Sequence, residues 1–359
     1  MKIIKKLSAL LLVCILAFGA VGCHKKNEVA VTIDGLEFTS AYYMNALMLA
    51  DSEAKKLVDE SLDSEETDVD YLSQKVEDKK FEVWVKDRAI EYLKEIAAYK
   101  FLCEKADLKV DDETVTSIKS SADEYWDYEY NNVKLYKNFY ESNGIGKETY
   151  IDFMIDDHYA DIYFEHLYGE DGEKAVSQDE ITTKLSENYI AANILDVTFS
   201  EETDDEKAAI KSKLDTYLTN LKSGKTTFEA VYKEYYEITD EETEETESDE
   251  PAPQDKYATV IGSEDTENAS EYFEDVKEMA LGEIKLIEKE ESAGYVLVIK
   301  KDILADSYYA DNLDMTVRHL IKDEEFEKDI TEYAKKLDTK ISKYAINQFK
   351  VKNIKEFTY

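Results

Sequence analysis

The sequence predicts a mainly α-helical protein with an α+β insert, and three observations predict it. Glycine and proline are scarce, 11 and 2 among 359 residues, so long stretches run without a strong helix breaker. Apolar residues recur about every 3.6 positions through the first half, most clearly at Phe81, Val85, Ala89, Tyr92, Leu93, Ile96, Tyr99 and Leu102, the signature of an amphipathic helix. From about 192 to 301 the period changes, and short alternating runs mix with helical ones in the order βααβαββ, the composition of an α+β unit. With 43% hydrophobic and 12% aromatic residues, the chain can bury a real core in about two domains. A disordered, collagen-like or turn-dense all-β chain is excluded.

The elements follow in order. Lys2, Lys5 and Lys6 precede an apolar run from Leu7 to Phe18 and the small residues Gly19-Ala20-Val21-Gly22. That run is shorter than the roughly 20 residues a membrane span needs and has the proportions of an export signal. Val29 to Phe38 reads as two extended pieces about an Asp34-Gly35 turn, and Thr39 or Ser40 can cap a helix over 40–60. A loop is expected over 61–70, then a helix over 71–105. Asp111 or Asp112 caps a third helix over 112–142, Asn143-Gly-Ile-Gly146 turns the chain, and a helix spans 147–168. Ser177 to Glu180 forms a capping box for a short helix ending near Tyr189. In the insert, strands are expected at 192–199, 256–262, 283–289 and 295–301, and helices at 203–222, 226–236 and 268–280. The chain then reads as helix to about 348, with a last strand over 349–359.

Lys and Arg number 44 against 82 Asp and Glu, a net charge of −38. Such a field repels phosphate backbones, so nucleic-acid binding is excluded and anionic partners are disfavoured. The cysteines are Cys14, Cys23 and Cys103. Two belong to the leader or its end, which leaves no internal disulfide framework. Cys103, inside the most hydrophobic helix, reads as a small core residue. His24, His158, His166 and His319 fall in no metal-ligand spacing, and Gly144-Ile-Gly146-Lys147 lacks the upstream glycine of a P-loop. The acidic run 240–250 lacks the central glycine of a calcium loop. No metal and no cofactor are expected.

Between 125 and 168 the aromatics are unusually dense: Tyr125, Trp126, Tyr128, Tyr130, Tyr136, Phe139, Tyr140, Tyr150, Phe153, Tyr159, Tyr163, Phe164 and Tyr168. Two readings stand. Some of these line an exposed groove suited to promiscuous contact with unfolded peptide, or tyrosine simply replaces phenylalanine in a polar helical bundle.

Several stretches resemble known patterns. The small residues before Cys23 resemble the bacterial lipobox, with Ala20 where leucine is more usual. That likeness implies a signal peptide at 1–22, lipidation of Cys23 and anchoring on the extracytoplasmic face of the cell membrane; the alternative is an ordinary signal peptide with an incidental cysteine. Val31-Thr-Ile-Asp-Gly-Leu-Glu-Phe-Thr39, Ala106-Asp-Leu-Lys-Val-Asp-Asp-Glu-Thr-Val115 and Val176-Ser-Gln-Asp-Glu-Ile181 resemble the N-terminal segments of the PrsA and SurA foldases. The βααβαββ unit, with Gly224 before Phe228-Glu-Ala-Val-Tyr-Lys-Glu-Tyr235 and Met279-Ala-Leu-Gly-Glu-Ile284 before Gly294-Tyr295, resembles their parvulin (PpiC-type) peptidyl-prolyl isomerase domain.

The resemblance implies a SurA-N-like helical peptide-holding lobe formed by 23–190 and 303–359, around a parvulin-like domain at 191–302, while the run of like charge predicts an acidic disordered loop at 240–255. It implies unfolded or partly folded exported polypeptides as partners. The family's two histidine positions fall on Asn193 and Val296, so no catalytic residue carries over, while Phe273 matches the family's apolar pocket phenylalanine, a substrate-binding position. The alternative for Phe273 is a packed core residue. The reading is therefore a membrane-anchored extracytoplasmic chaperone whose parvulin-like domain lacks catalysis. Its rivals are an active peptidyl-prolyl cis-trans isomerase and a solute-binding lipoprotein.

Overall fold

The computed structural model describes residues 28–62, 69–130, 133–200, 202–238, 253–289 and 293–357. The leader, Cys23 and the acidic run 240–250 lie outside the described residues. The fold is mainly helical with small sheets, as the periodicities predict. The chain divides into two compact units, Met1–Phe164 with Glu327–Tyr359, and Glu165–Phe326.

The first unit opens with strands β1 (Val29–Ile33) and β2 (Leu36–Thr39). Asp34 and Gly35 between them both have positive φ, 46° and 95°, as a two-residue hairpin turn requires. β1 also pairs antiparallel with β11 (Thr339–Ile341), giving a sheet of order β11-β1-β2. Helix α1 (Ser40–Ser61) starts at Thr39, whose side chain accepts from the Tyr42 amide. It packs along α2 (Phe81–Lys105) through a stripe that includes Tyr43, Leu47, Ala50 and Ala54 on α1 and Val85, Ala89 and Leu93 on α2, all fully buried. α2 begins ten residues later than expected. Glu77 and Asp78, both at positive φ, turn Lys75–Val76 (β3) back on Lys79–Lys80 (β4), and a helix cannot continue through two left-handed residues.

Asp111 caps α3 (Asp112–Asp127) by accepting from the Glu113 and Thr114 amides. The expected long helix over 112–142 is broken. Tyr128-Glu129-Tyr130 carries β-forming aromatics, and Glu129–Tyr130 (β5) pairs with Val133–Lys134 (β6) before α4 (Leu135–Ser142) begins. α5 (Lys147–Tyr168) matches its expected limits. Helix α10 (Ser307–Ala334) stops short of the expected 348 because the chain leaves it to join β1. The Asp34 amide donates to the Asp338 carbonyl at 2.9 Å, and the Asp338 amide donates to Asp34 Oδ1 at 3.0 Å. A four-residue helix α11 (Lys343–Ile346) follows, and the end of the chain forms a 3-10 turn at Val351–Asn353 where a strand was expected.

The second unit carries α6 (Gln178–Asn188), β7 (Tyr189–Thr198), α7 (Asp204–Lys222), α8 (Phe228–Tyr235), β8 (Ala258–Gly262), α9 (Phe273–Lys277), β9 (Ile284–Glu288) and β10 (Gly294–Lys300). From β7 onward this is the expected βααβαββ order, folded as an antiparallel sheet of order β8-β7-β10-β9. Ser177 with Glu180, and Thr203 with Glu206, form reciprocal capping boxes. Alternation along β7 and β10 gives the sheet two apolar faces. Leu195, Val197 and Leu297 pack on Leu214, Tyr217, Leu221, Phe228 and Val231, whereas Ile190, Ala192, Val296 and Val298 pack on Ile261, Phe273, Val276 and Met279. α9 is shorter than the expected 268–280, since 263–270 fold back in turns onto Gly262.

This unit also takes in segments on either side of the expected 191–302. Arg318, only 3% exposed, is one reason. Its Nε and Nη2 donate to Asp314 at 2.6 and 3.2 Å, and Nη1 donates to the carbonyls of Tyr168 and Val176 at 2.8 and 3.3 Å. Arg318→Met would leave both buried carbonyls without that donor. Removing one partner from such a buried charged network costs about 3 kcal/mol or more, so the urea midpoint of this unit should fall clearly. An unchanged midpoint would show that the guanidinium contributes nothing net.

Asp156, nearly buried, accepts from the Tyr42 hydroxyl at 2.8 Å and pairs with Lys100 at 2.6 Å. Around it, burial and then the Asp156 charge push the Asp152 carboxyl above its usual range; burial and then Asp161 do the same to Asp157. Burial likewise raises Asp51 and Glu95. A carboxyl with a raised folded pKa binds its proton more tightly in the native state. Its contribution is complete below the unfolded value of about 4 and is lost as pH rises through the folded value. Opposing groups such as Glu325, held down to about 2 by Lys322 and Lys174, give up stability only in stronger acid. Tm should therefore rise as pH falls through the folded values of these four carboxyls, above the unfolded value of about 4. A Tm that is flat or falls over that interval contradicts the assignment.

Candidate functional site

Where α3 ends, its last turn presents Glu124 and Tyr125. The β5 segment adds Tyr128 and Tyr130, the first turn of α4 adds Leu135 and Tyr136, and the end of the chain adds Phe357. Together they line an open groove of about 560 Å³. The break in the helix makes the groove, because it splays tyrosines that a continuous helix would have distributed around its axis.

The aromatic run divides between two jobs. Trp126, 5% exposed, stacks on Tyr140 with centroids 6.0 Å apart and meets Tyr150 at 5.8 Å; Tyr140 and Tyr150 are 4.6 Å apart. Burial pushes the Tyr140 hydroxyl up to about 12, so this inner layer is core. Tyr125, Tyr128 and Tyr130 instead remain 48%, 51% and 49% exposed. The run thus divides into a packed inner layer and an exposed outer set.

A specific anchor fixes the far wall. Asn143, the C-cap of α4 and 6% exposed, donates from Nδ2 to the carbonyls of Phe139 and Lys355 at 3.0 and 3.1 Å and accepts from the Lys355 amide at 2.8 Å. That clamp seats Phe357 5.3 Å from both Tyr136 and Phe139, while Tyr125 lies 5.4 Å from Tyr136. Among the described residues, the groove lining presents no nucleophile or acid–base pair. It presents broad ring faces with hydroxyl tips.

The positions singled out from the sequence lie in the other unit, and the sheet does not bring them together. Asn193 pairs with Ile299, and Val296 pairs with Asp196. Cross-strand partners share a face and successive residues alternate, so Asn193 and Val296 project to opposite faces. Asn193, 1% exposed, donates to Asp255 Oδ2 at 3.0 Å, and Asp255 also bonds Lys301 at 3.0 Å. Burial pushes the Asp255 carboxyl up, but bonds from Lys301 and Asn193 outweigh it and hold the group below its usual range. Residues 253–255, expected within the disordered loop, are thereby tied down: the Gln254 amide donates to Asp306 Oδ2 at 2.7 Å. Val296 is fully buried. Phe273, 3% exposed, packs in the same cluster as Val296, and Lys277 Nζ sits 5.2 Å from its ring centre. A shallow groove of about 550 Å³ next to it is lined by neighbours such as Ile194, Asp196, Glu271 and Tyr272, and not by Phe273.

Cys103 is buried and its thiol is pushed up to about 11 by burial, consistent with a core role. Among the described residues no group of three or more histidine, cysteine or acidic side chains could hold a metal ion, and no helix is long and apolar enough to cross a membrane.

No protein-family model matches the chain, and no curated protein matches it. Among solved structures it is similar to PrsA foldases. A foldase protein (PrsA) from Lactococcus lactis aligns over 89% of this chain and 96% of its own, at 12% identity and a TM-score of 0.39. A peptidylprolyl isomerase (PrsA) from Bacillus anthracis aligns over 68% of this chain and 95% of its own, at 16% identity and a TM-score of 0.23. Overlap at that level leaves the functional reading to the residues of this chain.

Proposed function

We propose that this chain is an extracytoplasmic holding chaperone, tethered to the cell membrane by lipid on Cys23, whose aromatic groove takes up apolar segments of unfolded or partly folded exported polypeptides. The observation that carries the reading is the set of three half-exposed tyrosines at the groove formed where α3 gives way to α4. A soluble protein rarely leaves large rings grouped on its surface without a use for them. The second unit acts as a parvulin-like scaffold without catalysis. Prolyl rotation faces a barrier of about 18–20 kcal/mol, and a catalyst must hold the twisted amide with oriented polar groups. Asn193 is committed to Asp255, Val296 is apolar and on the opposite face, and Phe273 is closed into the core.

Two measurements on the full chain test this. Suppression of aggregation of an unfolded exported protein at near-stoichiometric ratio is expected, and its absence overturns the chaperone reading. In a proline-isomerisation-coupled peptide assay the rate should stay at the uncatalysed background; catalysis lost on Asn193→Ala would establish the active isomerase instead.

A further inference from the structure

The groove carries a charge preference as well as an apolar one, and this inference rests on the holding reading above. Among the described residues lining it, Glu124 is the one charged side chain. Among the described residues no lysine, arginine or histidine forms an ion pair with Glu124. Two nearby lysines are taken by other carboxylates: Lys134 pairs with Asp127 at 2.7 Å and Lys147 with Asp123 at 2.5 Å, and the Lys134 hydrogen bond holds the Asp127 carboxyl below its usual range.

The ring faces tell the same story. Elsewhere this chain repeatedly sets its own cations over tyrosines: Arg88 lies 4.0 Å from the Tyr92 centroid, and Lys213 lies 5.5 and 5.3 Å from those of Tyr217 and Tyr235. Among the described residues no lysine or arginine occupies the faces of Tyr125, Tyr128, Tyr130 or Tyr136. Exposed electron-rich rings beside an unpaired carboxylate, on a chain of net charge −38, form a seat for a cation carried next to apolar surface.

We infer that the groove selects client segments in which a lysine or arginine adjoins an aromatic or large aliphatic side chain, the cation lying between Glu124 and the tyrosine faces while the apolar neighbour packs toward Leu135 and Phe357. An acidic segment of equal apolarity meets repulsion from Glu124 and gains nothing from the rings.

The test uses two fluorescent unfolded peptides of identical apolar content, one with lysine and arginine and the other with glutamate and aspartate beside the same phenylalanines, titrated into the full chain at low and high salt. The basic peptide should bind about tenfold more tightly at low salt, narrowing as salt screens the charge. Glu124→Gln, at an exposed position, should remove most of that ratio. Equal affinities, or a ratio indifferent to Glu124→Gln, overturn the charge preference while leaving the holding reading intact. Failure of both peptides to bind overturns the groove itself.

Discussion

Replacing Tyr125, Tyr128 and Tyr130 together by serine should nearly abolish client holding while leaving the protein folded. Each ring offers a broad apolar face at small entropic cost, worth about 1 kcal/mol in contact with a client side chain. Three such losses correspond to roughly a hundredfold weaker binding of an unfolded apolar peptide. The fold should tolerate the change because all three are about half exposed, and the aromatic core beneath, Trp126 with Tyr140 and Tyr150, is untouched. Substitutions at such sites usually move stability by about 0.5 kcal/mol. Binding by fluorescence anisotropy and Tm by calorimetry separate the outcomes. Undiminished binding with unchanged Tm would move the client site away from this groove.

Cys23→Ala should shift the protein from the membrane fraction to the medium. The proposed anchor is two or three acyl chains, each contributing ~0.8 kcal/mol per buried methylene; one chain alone holds only marginally, and two or more hold stably. Without them, His24, Lys25 and Lys26 offer at most about 1 kcal/mol per charge at an anionic surface, too little to hold a chain of net charge −38. Fractionation of cells expressing the variant reads the result. Retention in the membrane would mean that Leu7–Phe18 acts as an uncleaved anchor.

Much of the architecture was legible because local chemistry determined it. Thr39, Asp111 and Ser177 cap the helices that follow them, and Asp34-Gly35 makes its turn, since caps and turns depend on residues a few positions apart. Errors arose where a distant partner decided. The helix after 303 stops at Ala334 because β1 waits for a third strand, and nothing near 334 announces that.

The candidate sites follow the same division. The family resemblance implied matching positions for Asn193 and Val296, but their faces depend on the pairing of β7 with β10, where a slip of one residue reverses every side chain. The density of aromatics at 125–168 flagged the right region. Which tyrosines stay exposed hinged on the break after Asp127, for which alternating Tyr128-Glu129-Tyr130 was the available signal. Phe357 and Glu124 carried no signal at all, because they matter only through what folds against them.

The closing of the first sheet by residues from both ends of the chain sets a timetable for assembly. Asp338 reaches back to Asp34 across 304 positions, and Phe357 completes a groove whose other walls were laid down near residue 130. On the proposed route of export, N-terminus first, β1 and the tyrosines wait until residues 338–357 have crossed. Contacts of such long range form late and slowly. On that route the chain crosses with apolar surface still uncovered, in need of the kind of shelter it is proposed to give, and its groove is complete only once Phe357 has crossed.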